Sequence, residues 1–437
     1  MRAARTAGAM NRRALANLCA IFLLGVAACS ATSGTTTTGG APPGVAVRSS
    51  KPRLTTSVPA EDTRQLVDDD AAFGLDVLTR AAGRDNFFVS PHSISLALAM
   101  TYAGARDQTA TQMAHALRFT LPSERLHSAF GSLDLALARR ADKPVESGRA
   151  FKLNVMNALW GQRGYTFLGG YLDGLAENYG AGLSLLDFGA DPDGSRTEIN
   201  HWVSDQTQAR IPELLPPGII TSATVLVLTN AIYFNASWDL PFDESDSTDG
   251  TFTKLDGSPA SARLMHQAKE HRYAEGEGWQ ALELLYTGQD VSMLVILPAK
   301  GTFEDFRGKL DAMRLSSIVG ALGNKLVTTT LPRFQFRTQL GVKATLRALG
   351  MTDAFEGGVA DFSGMDGSRS LFIQDVVHEA FVAVDEKGTE AAAATAVVIG
   401  KTSIPEQATF TADRPFILAI RDNPTGAVLF LGQVMTP

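Results

Sequence analysis

The sequence predicts an α+β fold, because helical patterns come early in the chain and strand patterns come late. Four early segments carry apolar residues at three- and four-residue spacing, as one face of a helix does: 63–82, 93–103, 109–117 and 124–140. The clearest runs of β-branched and other apolar residues come later: 224–235, 291–298, 371–384, 416–421 and 427–434. Helices followed by strands favour α+β over alternating β/α units.

Composition narrows the class of protein. The chain has 437 residues, 45% of them hydrophobic, which is enough to bury one large core. Its 39 basic and 46 acidic residues give a net charge of −7 without a basic cluster, so we expect no nucleic-acid partner. The two cysteines, Cys19 and Cys29, both precede residue 30, which excludes a disulfide-linked core and a Cys-based zinc site in the body.

The first 28 residues are typical of an export signal. Four arginines among the first thirteen residues precede an apolar run over 14–28 that is too short to span a bilayer comfortably. The run ends in Val-Ala-Ala before Cys29, which resembles the lipobox of bacterial lipoproteins. We therefore expect removal of 1–28 and a lipid anchor on Cys29, with the outer membrane or cell surface favoured; a secreted protein with an incidental cysteine is the alternative.

Residues 29–60 and 61–437 differ in composition. Ser, Thr, Gly and Pro dominate 29–60, and large apolar residues are almost absent, so we expect a flexible linker there. No second linker and no internal repeat follows, so 61–437 is predicted to form a single domain.

Enzyme motifs are missing from the sequence. None of the seven histidines has metal-ligand spacing, and there is no G-x-S-x-G elbow or phosphate-binding loop. The sequence therefore predicts a protein that is not an enzyme and that has no metal or other cofactor.

A locally conflicted segment lies near the carboxyl end. Gly388 precedes Thr389, Glu390 and four alanines, and Val- and Thr-rich sequence follows. Alanine favours helix whereas Val and Thr favour strand, so the segment could adopt either state. No proline lies between Gly388 and Ile404, which leaves every backbone N–H available for a sheet.

In a strand, alternate residues of this segment would face opposite sides. Thr389, Ala391 and Ala393 would share one face, and all three are small enough to enter a core. The only charge, Glu390, would fall on the other face with Ala392 and Ala394.

The stretch 378–394 resembles the hinge of the serpins, a large family of serine-protease inhibitors. Further blocks resemble the same family in the expected order: 86–94, 199–203 with 211–215, 229–234 with Trp238, 331–334, 349–351, and 410–416 with 426–437. Together these blocks cover about 62–437.

The resemblance implies a serpin fold: three β-sheets, eight or nine helices and an exposed reactive-centre loop at about 386–410. It also implies a suicide-substrate inhibitor of serine endopeptidases, with cysteine endopeptidases as a further class of target. The inhibitor traps the acyl-enzyme by inserting its loop into the main sheet. The alternative is a non-inhibitory serpin that acts as a binding or carrier module, against which the four alanines argue.

The resemblance assigns roles to three sets of residues. The hinge comprises Glu386, Gly388, Thr389, Glu390, Ala391, Ala392, Ala393 and Ala394. The polar cluster beneath the sheet comprises Ser90, Ser93, Asn230 and His378. Trp238 marks the point where the sheet opens.

By the spacing usual in serpins, the resemblance implies a reactive bond at Thr402–Ser403, which suits elastase-like or subtilisin-like peptidases. The alternative is Lys401–Thr402, which suits trypsin-like ones. We expect the protein to be a monomer.

Overall fold

Helices predominate in the first part of the chain and strands in the last, which confirms the α+β class. The computed structural model describes residues 41–55, 57–141, 149–389 and 406–437, all within one compact unit. The helices of these residues are α1 (Ala60–Ala81), α2 (Pro91–Tyr102), α3 (Asp107–Ala116), α4 (Ser123–Ala141), α5 (Gly169–Tyr179), α6 (Pro192–Gln206), α7 (Phe303–Gly308), α8 (Ala312–Ala321), α9 (Val342–Ala348) and α10 (Ser363–Asp366).

The described strands number sixteen and form two hydrogen-bonded sheets. They are β1 (Val45–Val47), β2 (Phe87–Val89), β3 (Phe151–Gln162), β4 (Leu183–Leu186), β5 (Leu226–Ser237), β6 (Thr248–Thr253), β7 (Pro259–Gly276), β8 (Trp279–Leu285), β9 (Val291–Pro298), β10 (Gly323–Pro332), β11 (Phe334–Gly341), β12 (Val377–Asp385), β13 (Gly388–Thr389), β14 (Gln407–Thr411), β15 (Phe416–Asp422) and β16 (Val428–Val434).

The seven-stranded sheet has the order β1-β4-β3-β5-β13-β12-β11. The nine-stranded sheet has the order β14-β10-β7-β8-β9-β15-β16-β2, and β6 pairs with β7 beside this path. The main core lies where these sheets meet each other and the early helices, and a second, smaller core lies under α6 around Trp160, Ile199 and Tyr233.

The expected number of sheets and helices differs from the observed one. Three sheets were expected, but β7 is 18 residues long and pairs with β6 in its first part and with β8 in its last part, which joins two of them. The described residues form ten α-helices rather than eight or nine, because short helices such as the four-residue α10 are included.

Helix α2 fixes the position of the polar cluster. It is apolar on nearly every side, and all its residues from 91 to 101 are buried, as expected for a helix surrounded by core. Pro91 occupies its first turn, and the Ser90 side chain caps it by accepting a hydrogen bond from the Ser93 N–H at 3.2 Å.

The amino-terminal segment departs from the expected flexible linker. Residues 45–47 form β1, which pairs antiparallel with the edge strand β4. Beyond it, Lys51 Nζ lies 3.2 Å from Asp173 and 3.1 Å from Glu177 of α5, and Arg53 Nη2 lies 2.6 Å from Asp134 of α4. The segment is ordered because it supplies hydrogen bonds to an otherwise open sheet edge and cations to acidic helix surfaces.

No helix in the described part of the chain combines the length and the hydropathy needed to cross a membrane.

Candidate functional site

The central strands β5 and β12 touch at one end and are separated at the other. They pair in parallel over 229–232 and 377–380. At the far end β13 lies between them: Gly388 faces Ser237 and Asp385, while Thr389 faces Ala236 and Val384. The sheet is therefore already open for two residues at this end.

Gly388 is required for this entry. Its φ of 151° lies in a region that residues with a Cβ rarely adopt. A Cβ built there would lie 2.1 Å from the Ala236 carbonyl oxygen, which is backbone of β5 and cannot move aside. Glycine therefore allows the chain to approach β5 closely enough to pair with it.

Thr389 points into the core. The residue is 2% exposed, and its Oγ1 lies 2.8 Å from the Tyr286 hydroxyl. The Tyr286 ring stacks on Trp238 with 4.5 Å between ring centroids, and Trp238 Nε1 donates a hydrogen bond to the Asp385 carbonyl at 2.9 Å. Thr389, which strand alternation groups with the small residues Ala391 and Ala393, thus occupies a core position.

Glu386 anchors the turn that leads into β13. It accepts hydrogen bonds from Arg333 Nε at 2.5 Å and from the Ser247 hydroxyl, and it is buried. Burial alone would raise the pKa of Glu386, but the hydrogen bonds from Arg333 and Ser247 outweigh it and hold the pKa below the usual value. The carboxylate therefore stays ionised and fixes where the segment enters the sheet.

A buried polar cluster lies beneath the closed end of the β5–β12 pair. Asn230 Nδ2 donates to the Ser93 hydroxyl at 2.5 Å, to Asn157 Oδ1 at 2.5 Å and to the Ser93 carbonyl. On the other side, the Asn230 Oδ1 lies 2.5 Å from His378 Nδ1. The cluster ties both strands to the start of α2.

The hydrogen bonds of His378 define its protonation state. Its Nε2 accepts a hydrogen bond from the Ser90 backbone N–H at 3.1 Å, so Nδ1 carries the proton and donates to Asn230. Burial lowers the pKa of His378 to about 3, which keeps the imidazole neutral at physiological pH.

The sequence-predicted residues that the structure describes form two groups. Ser90, Ser93, Asn230 and His378 belong to the polar cluster, whereas Trp238, Glu386, Gly388 and Thr389 lie at the open end. The remaining predicted residues lie outside the described residues: Cys29, Glu390, Ala391, Ala392, Ala393, Ala394, Lys401, Thr402 and Ser403.

Sequence reasoning missed four participants: Asn157, Ser247, Tyr286 and Arg333. Arg333 stood in a block that resembled the family, and a basic residue there could have been matched to the acidic Glu386. Asn157, Ser247 and Tyr286 come from strands or turns whose local patterns carry no comparable signal.

The chain matches the family model described as "Serpin (serine protease inhibitor)" over residues 68–437. A match over most of the chain shows membership, so this protein belongs to the serpin family and has the serpin fold.

Individual relatives and a solved structure also support membership of the serpin family. Leukocyte elastase inhibitor A of Rattus norvegicus is 38% identical over 385 residues, covering 85% of this chain and 100% of the relative. An uncharacterized serpin-like protein of Thermococcus kodakarensis is 39% identical over 370 residues, covering 84% of each chain. The native-state crystal structure of tengpin, a thermophilic serpin, superposes with a TM-score of 0.77 at 28% identity, covering 90% of this chain and 100% of tengpin.

The family and the rat relative are named for protease inhibition. The expectation that the protein is not an enzyme is therefore confirmed, and protease inhibition is the activity of its class.

Proposed function

We propose that this serpin is a suicide-substrate inhibitor of serine endopeptidases, and that it traps the acyl-enzyme by inserting its reactive loop between β5 and β12. The observation that carries the proposal is β13. The first two residues of the inserting strand already pair with both neighbours, and Thr389 already occupies a core position. The small residues that follow Thr389 would enter the same slot at low desolvation cost.

The catalytic groups that cleave the reactive bond are those of the target peptidase. The peptidase serine Oγ attacks the carbonyl carbon of the reactive residue, the peptide C–N bond breaks, and the peptidase's general acid protonates the leaving amine. An ester then joins the peptidase to the new carboxyl end of the loop. Insertion of the loop competes with hydrolysis of this ester by water, and inhibition results only if insertion is faster. Cysteine endopeptidases would form the corresponding thioester.

The reactive bond determines the class of target. We place it at Thr402–Ser403, which presents a short, uncharged side chain to the peptidase pocket and suits elastase-like or subtilisin-like enzymes. The similarity to leukocyte elastase inhibitors supports this choice. Lys401–Thr402 is the alternative, and it would direct the protein to trypsin-like enzymes, whose pocket carries a buried carboxylate.

The test is capture of purified peptidases. The protein is mixed with an elastase, subtilisin or trypsin, and the products are separated in SDS. We expect a covalent complex together with a released carboxyl-terminal fragment, whose first residue is Ser403 for the preferred bond and Thr402 for the alternative. A chain that is cut without any SDS-stable complex would contradict the proposal and would favour a non-inhibitory binding or carrier protein.

We also propose that the protein is a monomeric bacterial lipoprotein anchored through Cys29, on the outer membrane or cell surface. The arginines and the small residues before Cys29 support this. β1 begins only sixteen residues later, at Val45, so the linker reaches at most about 55 Å when extended. Cys29→Ala should move the protein from the detergent phase to the aqueous phase; unchanged partitioning would contradict the anchor.

A further inference from the structure

Within the described part of the chain, a cavity beside the nine-stranded sheet is lined by three cations and by no acidic side chain. Its volume is about 120 Å³, and its cations are Lys254, Lys300 and Arg414. They come from three segments: the turn between β6 and β7, the junction of β9 with α7, and the connection between β14 and β15. The same volume of liquid water would hold about four molecules, so the cavity has room for a small ligand.

Two hydrogen bonds hold the Arg414 guanidinium at this cavity. Nε donates to the Pro298 carbonyl at 3.0 Å, and Nη1 donates to Asp413 Oδ1 at 2.9 Å. Among the residues that the structure describes, Nη2 has no partner. An arginine that is already fixed through two of its nitrogens loses little side-chain entropy when the third nitrogen binds a ligand. Nη2 is therefore a preorganised donor for an anion.

The two lysines add positive charge that the rest of the described chain does not neutralise by an ion pair. Lys254 is half-buried and Lys300 is exposed, and neither forms an ion pair with a described residue. Asp256 interacts with the charge of Lys254, but its Oδ1 accepts hydrogen bonds from the N–H and the hydroxyl of Ser258, at 2.9 Å and 2.6 Å. The cavity thus gathers three positive charges in a chain whose net charge is −7.

The turn from β9 into α7 supplies backbone donors to the same cavity. Lys300 and Gly301 both line it, and their N–H groups donate no hydrogen bond to any residue in the described ranges. Charged side chains and unpaired backbone N–H groups are the donors with which proteins bind oxyanions. Leu255 and Phe303 contribute apolar surface between these donors. The lining therefore combines oxyanion donors with walls that do not compete for the ligand.

We propose that Lys254, Lys300 and Arg414 form a binding site for a small oxyanion that carries two or more negative charges, of the phosphate or polycarboxylate class. Three cations around one small cavity repel each other, and a multivalent anion relieves this repulsion more fully than a monovalent one. The site is separate from the β5–β12 pair, and it does not depend on the inhibitory mechanism.

Occupation of this site would connect segments that are distant in sequence. One backbone hydrogen bond already joins two of them, from the Thr253 N–H to the Asp413 carbonyl at 2.7 Å. A bound anion would add contacts from both of these segments and from the junction of β9 with α7. We therefore expect it to slow hydrogen exchange in 253–257, 299–303 and 412–415, because a ligand that binds only the closed state opposes local opening.

The test is isothermal titration calorimetry of the protein at constant ionic strength, maintained with sodium chloride so that screening does not change. Inorganic phosphate and tricarballylate are titrated separately. We expect saturable binding of one anion per chain. Binding of phosphate alone would assign the site to phosphates, and binding of tricarballylate alone would assign it to polycarboxylates. Binding of both would show that the site selects for charge.

Variants of the three cations locate the binding. We expect the dissociation constant to rise at least about threefold in Lys254→Gln and in Lys300→Gln, and at least about tenfold in Arg414→Gln, which removes the anchored donor. The lysine variants replace side chains that make no ion pair with a described residue, so they keep the test decisive if Arg414→Gln fails to fold.

Lys309→Gln is the matched control. It removes the same charge from α7, where Lys309 pairs with Asp305 and does not line the cavity. It should leave the dissociation constant within about twofold of the wild-type value, since only general screening would change.

Three outcomes would overturn the inference. The first is the absence of saturable binding for both anions. The second is a loss of affinity in Lys309→Gln as large as that in Lys300→Gln, which would show attraction by the overall field and not by a site. The third is binding that slows hydrogen exchange only outside 253–257, 299–303 and 412–415, which would place the anion elsewhere on the protein.

Discussion

Ala391 tests whether the inward face of the loop must remain small. Continuing the register of β13 places Ala391 opposite the buried Phe234. Ala392 falls opposite Tyr233 of β5, on the α6 side, and opposite Phe381 of β12, whose ring centroid lies 5.5 Å from the Arg210 guanidinium carbon. A carboxylate at position 391 would have to be desolvated without a partner, at a cost of several kcal/mol. Insertion of the loop would then be slower than hydrolysis of the ester.

We therefore expect Ala391→Asp to be a substrate that is cut and released, with at least a tenfold rise in the moles of protein consumed per mole of peptidase inhibited. Ala392→Asp is the matched control and should retain most of the inhibition. Titration of peptidase activity measures both, and wild-type stoichiometry in Ala391→Asp would refute the assignment.

Substitution of Gly388 tests whether glycine is needed for β13 to pair within the seven-stranded sheet of the intact protein. Gly388→Ala places a Cβ against the Ala236 carbonyl oxygen, so we expect β13 to leave the sheet and Thr389 to lose its contact with Tyr286. The change should alter the fluorescence of Trp238, which stacks on Tyr286. Gly323→Ala is the control, since a Cβ there meets nothing within 4 Å. Identical spectra for Gly388→Ala and wild type would contradict the prediction.

His378 makes the stability of the fold depend on pH. Burial lowers its pKa to about 3, so the folded protein keeps it neutral where the unfolded chain protonates near pH 6.5. Between these values the unfolded state binds the additional proton. The free energy of unfolding therefore falls as the pH is lowered from about 6.5 toward about 3, by about 1.4 kcal/mol for each pH unit.

The measurement is urea unfolding at pH 7.5 and pH 5.0 for the wild type and for His378→Asn. The wild type should lose about 2 kcal/mol more than the variant over this interval, because asparagine does not titrate. His127 and His271, which also have lowered pKa values, are present in both proteins and cancel in the difference. Equal losses would show that His378 does not contribute in this range.

At the scale of elements, most helices and strands that were predicted from hydrophobic periodicity lie close to their predicted positions. The first four helices begin and end within three residues of their predicted bounds, because apolar residues recur at helical spacing along each of them. The strand predicted at 371–384 begins only at Val377, because hydropathy does not show where a ladder partner is available. β1 was not predicted, since three residues gain strand structure only from pairing with β4.

The same limit applies to the site. That Thr389 is small enough for a core position could be read from the chain itself. The partners of Thr389 and Glu386, which are Tyr286, Arg333 and Ser247, come from distant segments that meet only in the folded protein. Local sequence patterns therefore pointed to Glu386 and Thr389 but not to the side chains that contact them.

The segment containing β1 acts as one element with α4, α5 and β4. A chain that starts at Ser57 loses the β1–β4 ladder and the ion pairs of Lys51 and Arg53. We expect faster hydrogen exchange in β4 and self-association through its uncovered edge. A chain that starts at Ala41 keeps these contacts and is the control. Hydrogen exchange and light scattering measure both effects, and equal behaviour of the two chains would show that the segment stabilises nothing.

At the scale of the whole molecule, the segment that we propose as the reactive loop connects the two sheets. It leaves β13 in the seven-stranded sheet and rejoins the chain at β14 in the nine-stranded sheet, with 390–406 between them. Because its two ends are held in different sheets, we expect this segment not to lie along the full length of β5 in the intact protein. We therefore expect the connectivity of the intact fold to prevent further ladders that the register of β13 would otherwise permit.

Cutting the loop removes this restraint. On the proposed mechanism, residues after Thr389 would then pair with β5 and β12 on both sides and would replace the single β5–β12 contact over 229–232 and 377–380 by two longer ladders. We expect the cut protein to unfold at least about 10 °C above the intact one in calorimetry, since every added ladder residue also buries small apolar surface. Cut Ala391→Asp should gain much less, because its charge obstructs the slot. If the cut and intact wild-type proteins unfolded at the same temperature, the intact fold would already be at its free-energy minimum, and insertion could supply no work for trapping a peptidase.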